Sequence, residues 1–341
     1  MPKFVRIQPK NPADVAGQVA SALGSGVAVV PMRGGYCVLA RDREVLDGFS
    51  GPFRFVNEEA LEAAAAGMEP SFRERVLKLM AGPLVGRFAS GQPGLALAAE
   101  PIASEIIRLV GGDIWIGVPA ESAEPGELAD ELGNRASIVV TGGAAGPGPT
   151  SLDLSSRPAV IDRRGKLGIL DVEQQLGELV RMGPGLFFSV LVVCTGNSCR
   201  SPMAQCMLAD ILRGTPASVG SAGTEAPVGS PAAANAVEVM REAGLDLTRH
   251  RAQQLTSAML EVSDLVLVMD DYHRQRVVEL SPDAAGRTRL LLSFVDSSEG
   301  VEDPVGFSVE CYRQTRDTMR PALEQVAAQA RQRAGRSEIK S

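Results

Sequence analysis

Histidine and cysteine are scarce in this 341-residue chain, at two and five residues respectively. Two histidines leave a zinc site short of ligands unless cysteines join them, so no metal is expected. Cys37, Cys194, Cys199, Cys206 and Cys311 are too few and too unevenly spaced for a disulfide framework in a chain of this length. Reduced thiols follow, one of them available for chemistry; Cys37, Cys206 and Cys311 read as core residues. Long apolar runs are also missing. The longest, Leu186 to Cys194, contains Ser189 and falls far short of the roughly 20 residues a bilayer span needs, so no membrane association is expected. Neither an apolar h-region nor a small-residue cleavage site follows Met1 to Lys10, which argues against a signal peptide and for a cytoplasmic protein. No basic block is found either: 34 Lys+Arg face 41 Asp+Glu for a net charge of −7, which disfavours binding to a DNA backbone.

What is present is the composition of an ordinary folded protein, 45% hydrophobic and 22% charged. At about 150 residues per domain, two domains are expected. In the first half, Val27 to Val30, Ile114 to Val118 and Ser137 to Val140 read as strands. Asn57 to Gly67 reads as a helix, and so does Ser71 to Met80, opened by Ser71 after Pro70. Thr141 to Ser156 reads as a loop, and Leu167 to Met182 has helical spacing. Gly183, Pro184 and Gly185 then punctuate the chain and set domains of 1–182 and 186–333. The second half alternates strands (Leu186 to Val193, Leu265 to Met269, Arg289 to Leu292) with helices near Pro202 to Arg213, Ser230 to Ala243 and Tyr272 to Leu280, and a last one from Val309. That order predicts an α/β fold, a parallel sheet flanked by helices. Gln325 to Ser341 reads as a fraying, solvated helix.

Residues Val192 to Met203 read V-V-C-T-G-N-S-C-R-S-P-M, so that Cys194 closes an apolar strand and Arg200 follows six positions later at the start of a helix. A cysteine and a basic residue at that spacing are weak evidence alone. Their neighbours strengthen it: Gly196 permits tight curvature, Ser201 can cap the helix and Pro202 suits its first turn. A strand–loop–helix of this kind aims backbone N–H groups and the helix dipole at one point, which is an anion site. There a thiolate is stabilised and Cys194 becomes a nucleophile, while Arg200 can hold two oxygens of a transferring phosphoryl group. The competing reading is a buried structural cysteine and a surface ion pair.

These residues resemble the low-molecular-weight protein tyrosine phosphatase family, whose loop is C-x5-R-S-P after a strand. Cys194, Gly196, Asn197, Cys199, Arg200, Ser201 and Pro202 match it. So do Ser221-Ala222-Gly223-Thr224, His250 within H-x-A-x-Q, Met269-Asp270 and Asp303-Pro304. The resemblance implies a phosphocysteine at Cys194, phosphate binding and transition-state stabilisation by Arg200, and general acid catalysis by Asp303. It implies that Thr195, Gly196, Asn197, Ser198, Cys199 and Ser201 surround the substrate phosphate, Asn197 and Ser201 also holding the loop and thiolate. Ser221 and His250 would support the loop, and Cys199 would pair reversibly with Cys194 under oxidation. No cofactor is implied, and the partners are phosphorylated proteins. Read without the family, Asp303-Pro304 is an ordinary turn and His250 an ordinary histidine.

Two positions bear on the substrate. The tyrosine enzymes usually carry Ile where this chain has Ser198, and the related bacterial protein arginine phosphatases carry Thr. An aromatic residue follows Asp-Pro in the tyrosine enzymes, but here Val305 and then Gly306 do, so a phenol ring loses a wall. Thr195 also resembles the arginine enzymes. Phosphoarginine is favoured over phosphotyrosine.

In the first half, Gly26 to Leu39, Ala81 to Leu84 and Gly148 to Arg157 resemble the threonylcarbamoyl-adenylate synthase family, a twisted α/β sheet around a nucleotide cavity. Met32-Arg33-Gly34 and Gly117 to Ala120 depart from its functional motifs, and no Lys-x-Arg pair is found. Without those basic groups a triphosphate is poorly compensated, so a non-catalytic domain is expected, with residual nucleotide or RNA-related activity as the alternative. For the whole chain the competing reading is a pseudo-phosphatase that binds phosphoproteins without turnover.

Overall fold

Val27 to Val30 is apolar at four consecutive positions, and the structure shows why. In the computed structural model, which describes residues 2–7, 12–32, 34–143 and 146–334, the chain forms two compact units, Met1–Val180 and Arg181–Ser341. In the first unit the strand Val27–Met32 lies inside a mixed sheet with a core on each face. Ala28 and Val30 enter one core with Val15 and Val19 of the helix Pro12–Ala22; Val27 and Val29 enter the other with Leu128 and Leu132 of the helix Pro125–Leu132. Successive side chains point to opposite faces, so a strand covered on both sides is apolar throughout. Its neighbours are Gly35–Ala40, antiparallel, and Ala136–Thr141, parallel.

The second unit is built on a parallel four-stranded sheet, numbered here within the unit. Its strands are β1 (Phe188–Cys194), β2 (Ala217–Gly223), β3 (Leu265–Val268) and β4 (Thr288–Leu290), in the order β2-β1-β3-β4. The helices are α1 (Arg200–Ile211), α2 (Ala234–Glu242), α3 (Ser257–Glu261), α4 (Asp271–Leu280) and α5 (Val309–Arg333). Leu191 and Val193 of β1 pack with Val266 and Val268 of β3, Leu260 of α3 and Val277 of α4. After β1 the chain first adds a strand on one side and later returns to add β3 on the other. The carboxyl end of β1, where Cys194 stands, is therefore a topological switch point, the crevice in which open α/β sheets bind ligands.

Several sequence expectations are corrected. The helix expected to open at Ser71 is Pro70–Met80, capped by Glu69, whose carboxylate accepts from the Ser71 and Phe72 backbone N–H groups at 2.9 Å each; proline at the first helical position has no N–H to satisfy. The Thr141 to Ser156 loop contains the strand Thr150–Asp153, paired in parallel with Leu84–Arg87. Leu167 to Met182 is helical only over Ile169–Leu176, ended by Gly177 at φ 68°. β2 was missed because Ala-Ser-Val-Gly-Ser-Ala-Gly has little apolar pattern; its pairing with β1 makes it a strand. α2 begins at Ala234 rather than Ser230, and the last strand is Thr288–Leu290.

The largest correction is at the C-terminus. Within the segment read as solvated, Val326, Ala327 and Ala330 of α5 are buried, continuing the face of Tyr312, Met319 and Leu323 at spacings of three and four. Residues 335–341 of that segment lie outside the described residues, as do Arg33 and parts of Met1 to Lys10 and of the 141–156 stretch. No described helix is long and apolar enough to cross a membrane. Leu323, 0% exposed, tests the packing of α5: Leu323→Ala is expected to cost about 2–5 kcal/mol in urea denaturation, against less than about 0.5 kcal/mol for the neighbouring exposed Glu324→Ala. Equal effects would restore the solvated reading.

Candidate active site

The loop from Cys194 to Arg200 is held from below by β2. A methyl group on Gly223 would come within 2.4 Å of the Thr195 carbonyl oxygen and 2.9 Å of the Asn197 nitrogen, so only glycine lets the strand pass this close. The Thr224 and Glu225 N–H groups donate to the carbonyls of Cys194 and Thr195 at 2.9 Å each. Farther along, the Ala233 N–H donates to the Ser198 carbonyl, also at 2.9 Å. Among the described residues, no hydrogen-bond acceptor engages the backbone N–H groups of Gly196 to Cys199. They remain available to an anion together with the unpaired first-turn N–H groups of α1.

Curvature was expected at Gly196, but the left-handed residue is Asn197, at φ 50°. Asparagine accepts this conformation when its side chain is satisfied locally, and here the side chain and the carbonyl both are. Its Nδ2 donates to the hydroxyls of Ser201 and Ser221 at 2.9 Å each, and its Oδ1 accepts from the Gln253 N–H at 2.9 Å. Its carbonyl accepts from His250 Nε2 at 2.7 Å. Ser221 in turn donates to Gln205 Oε1 at 2.6 Å.

Ser201 is not the cap of α1; it sits in the first turn, with Cys199 preceding the helix. Its Oγ lies 2.9 Å from Cys194 Sγ. That oxygen accepts from Asn197, and its hydrogen can turn between the sulfur and the more distant Ala222 carbonyl, 3.4 Å away; directed at the sulfur it would stabilise a thiolate. Cys199 is buried, with Sγ 3.4 Å from the Tyr312 hydroxyl and 3.5 Å from Ser198 Oγ, and burial pushes its thiol up, keeping it protonated. Of the cysteines read as core, only Cys37 is fully buried, where desolvation raises it to about 12. Cys206 and Cys311 are half-exposed, Cys206 placing its thiol 3.8 Å from the Asp246 carbonyl.

Arg200 is buried, with both terminal nitrogens of its guanidinium engaged. Nη1 donates to the Val301 carbonyl at 3.1 Å and to Asp270 Oδ2 at 3.4 Å, and Nη2 pairs with Asp303 Oδ2. Asp303 is 44% exposed, so this carboxylate faces both the arginine and solvent, as a proton donor to a leaving group must. The fold thus joins Ser201 to the Cys194 sulfur, gathers Ser201, Ser221 and His250 around Asn197, and pairs Arg200 with Asp303.

His273 escaped sequence reading. It is 0% exposed at the start of α4, with Nε2 2.9 Å from Thr195 Oγ1 and Nδ1 2.8 Å from Asp270 Oδ1. The Asp-x-x-His spacing after β3 was the available signal: Asp270 caps α4, its Oδ1 accepting from the His273 N–H at 3.0 Å.

His250 and His273 are the chain's two histidines, and burial holds both imidazoles below their ordinary value. The unfolded chain takes up their protons near pH 6.5, before the folded protein does, so stability present above that pH is lost as pH falls below it. The denaturation midpoint is expected to be flat above about pH 7 and to drop between about pH 6.5 and 5, and His250→Gln/His273→Gln to flatten that drop. A wild-type midpoint constant over this window would contradict the neutral state of the two rings, His273 buried and His250 half-buried.

Residues 189–336 match the family model described as low molecular weight phosphotyrosine protein phosphatase. A probable low molecular weight protein-tyrosine-phosphatase, EpsP, of Ralstonia nicotianae is 49% identical over 98 residues, 29% of this chain and 66% of that relative. A protein-arginine-phosphatase of Geobacillus stearothermophilus is 37% identical over 142 residues, 41% of this chain and 94% of its own length. The protein-arginine-phosphatase of Bacillus subtilis is 37% identical over 143 residues, 41% of this chain and 95% of its own. With a left-handed asparagine, a serine against the sulfur and an arginine six residues from the cysteine in the matched stretch, the chain belongs to the low-molecular-weight phosphotyrosine protein phosphatase family.

Proposed function

We propose that this chain is a protein phosphatase that works through a phosphocysteine at Cys194 and prefers phosphoarginine to phosphotyrosine. The observation that carries the reaction is the pairing of two contacts on one loop, Ser201 on the Cys194 sulfur and Asp303 on the Arg200 guanidinium. Cys194 Sγ attacks phosphorus in line with the leaving group. Arg200 and the free loop N–H groups take up the charge on the equatorial oxygens. Asp303 gives its proton to the departing nitrogen, or to the phenolic oxygen of phosphotyrosine, as the P–N or P–O bond breaks. In the second step water attacks the S–P bond, Asp303 receives its proton, and inorganic phosphate leaves with the thiolate restored.

The preference for arginine is supported by Ser198, whose hydroxyl can hydrogen-bond a guanidinium, by Thr195, and by Val305 in place of an aromatic wall. Two relatives named protein-arginine-phosphatase, matched over almost their whole length, favour it as well. The named tyrosine phosphatases among the relatives keep phosphotyrosine as the second reading.

For residues 1–182 we infer a non-catalytic module related to the threonylcarbamoyl-adenylate synthases. The Gly26 to Leu39 stretch forms the hairpin of Val27–Met32 and Gly35–Ala40. The departures at Met32-Arg33-Gly34 and at Gly117 to Ala120 and the lack of a Lys-x-Arg pair support the non-catalytic reading, since a triphosphate would be poorly compensated.

Phosphoarginine peptide is expected to show a higher kcat/KM than phosphotyrosine peptide, with phosphoserine slowest; the reverse order of the first two would assign the chain to phosphotyrosine. The burst of p-nitrophenol from p-nitrophenyl phosphate should vanish in Cys194→Ser, and Asp303→Asn should lower kcat on the order of 100-fold or more. A burst surviving in Cys194→Ser would remove the phosphocysteine. For the first unit, the full chain given ATP, threonine and bicarbonate should release no pyrophosphate, and release above a protein-free control would make it an enzyme.

A further inference from the structure

The mechanism leaves the buried imidazole of His273 without a task. His273 lies on α4, in another element from the loop, and every polar contact of its ring is to a residue beside the phosphate cradle. Asp270 lies between it and the arginine. Its Oδ1 takes the His273 backbone N–H and lies 2.8 Å from Nδ1, off the line of an aligned hydrogen bond, while its Oδ2 reaches Arg200 Nη1 at 3.4 Å. On the other side of the ring, Nε2 is 2.9 Å from the hydroxyl of Thr195, the residue after the nucleophile.

The tautomer follows from these contacts. A carboxylate oxygen 2.8 Å from a bare imidazole nitrogen would set lone pair against lone pair, so Nδ1 carries the proton. In the neutral ring that burial favours, Nε2 is then an acceptor, and the Thr195 hydroxyl donates to it. The Thr195 carbonyl is already fixed by the Glu225 N–H, so the side-chain bond completes the anchoring of that residue.

We propose that His273 is a positioning residue of the phosphate cradle, a neutral imidazole that joins Thr195, next to the nucleophile, to Asp270, the carboxylate that braces Arg200. The proposal rests on the reading that this loop binds the transferring phosphoryl group. It sets the ends of the loop in one register: the nucleophile's neighbour and the guanidinium are both located from a single ring in the wall between β1 and α4.

Protonation would undo the arrangement. A proton on Nε2 turns the acceptor into a donor, so the Thr195 hydroxyl must turn away, and the new charge competes with Arg200 for Asp270. The groups acting on the ring come from every side. Asp270, Asp303 and Glu225 favour the charged form, Arg200 opposes it, and the Tyr272 ring stands edge-on at 5.6 Å. Burial outweighs the carboxylates and holds the imidazole neutral at physiological pH.

The test compares wild type, His273→Gln and His273→Leu in the full chain. Glutamine keeps an uncharged acceptor near the position of Nε2 at every pH; leucine keeps bulk and loses both contacts. With p-nitrophenyl phosphate at pH 7.5, leucine should lower kcat/KM on the order of 10- to 100-fold, chiefly through kcat, since a cradle displaced by about 1 Å loses rate at that scale. Glutamine should stay within about threefold and lose the part of the acid limb that wild type shows below about pH 6.5. A readout independent of turnover is the protection of Cys194 from iodoacetate by inorganic phosphate, which should need about tenfold more phosphate in the leucine variant. Should His273→Leu not fold, Thr195→Val takes its place, with weaker phosphate protection expected.

Three outcomes overturn the proposal: a leucine or valine variant with wild-type phosphate protection, a glutamine variant with the wild-type acid limb, or glutamine as impaired as leucine. Absence of wild-type turnover, with protection still weakened by His273→Leu, would defeat the phosphatase reading and leave the positioning role standing.

Discussion

A left-handed backbone at Asn197 is the constraint on which the phosphate cradle depends. An asparagine at φ 50° turns the chain sharply between Cys194 and Arg200, and that turn leaves the neighbouring N–H groups without internal acceptors. A turn so exposed is kept in place by the hydrogen bonds of the asparagine itself: two serine hydroxyls, a backbone N–H and a histidine ring take up its side chain and carbonyl. None of these partners lies in the loop itself; Ser201 stands in the first turn of α1. The strain of the turn is thus offset by β2, by Ser201 and by the segment after α2, which hold the loop's N–H groups in one arrangement, as the proposed phosphate binding requires.

The arginine shows the same logic with charge. Burying a guanidinium is unfavourable unless its donors are met, and Arg200 is met by a carbonyl and two carboxylates. Asp270 is part of the scaffold, fixed as the cap of α4. Asp303 is exposed and lies in no regular element, which suits the proton-donor role proposed for it. Thr195, read from sequence as a phosphate neighbour, turns its hydroxyl toward α4 instead, so its side chain serves the loop's anchorage.

Much of the chemistry was legible because it is local. Cys194, Arg200, Ser201 and Pro202 fall within nine residues, at a strand–helix junction that apolar patterning marks plainly. The parallel strands β1 and β3 were readable for the same reason, being continuous apolar runs buried on both faces. β2 was not, since a strand of small and polar residues owes its conformation to its partner. Gly223 carried no visible reason until the loop lay against it, and Gly196 drew attention that belonged to Asn197. The C-terminal helix misled because charges alternate with alanines along it; alanine adds little apolar signal yet fits a closely packed face, as Ala322, Ala327 and Ala330 do.

By itself the sequence determined which atoms can react: a thiol, a guanidinium and a carboxylic acid are fixed by residue identity, and the first two by a spacing that one turn of chain can close. The tertiary structure decided what surrounds them. His250 reaches Asn197 across 53 positions, His273 reaches Thr195 across 78, and Asp303 reaches Arg200 across 103. Separations of that length are closed only when the strands of a parallel sheet bring their carboxyl ends to one edge, because the sheet's register, and no local preference, sets which loops meet there.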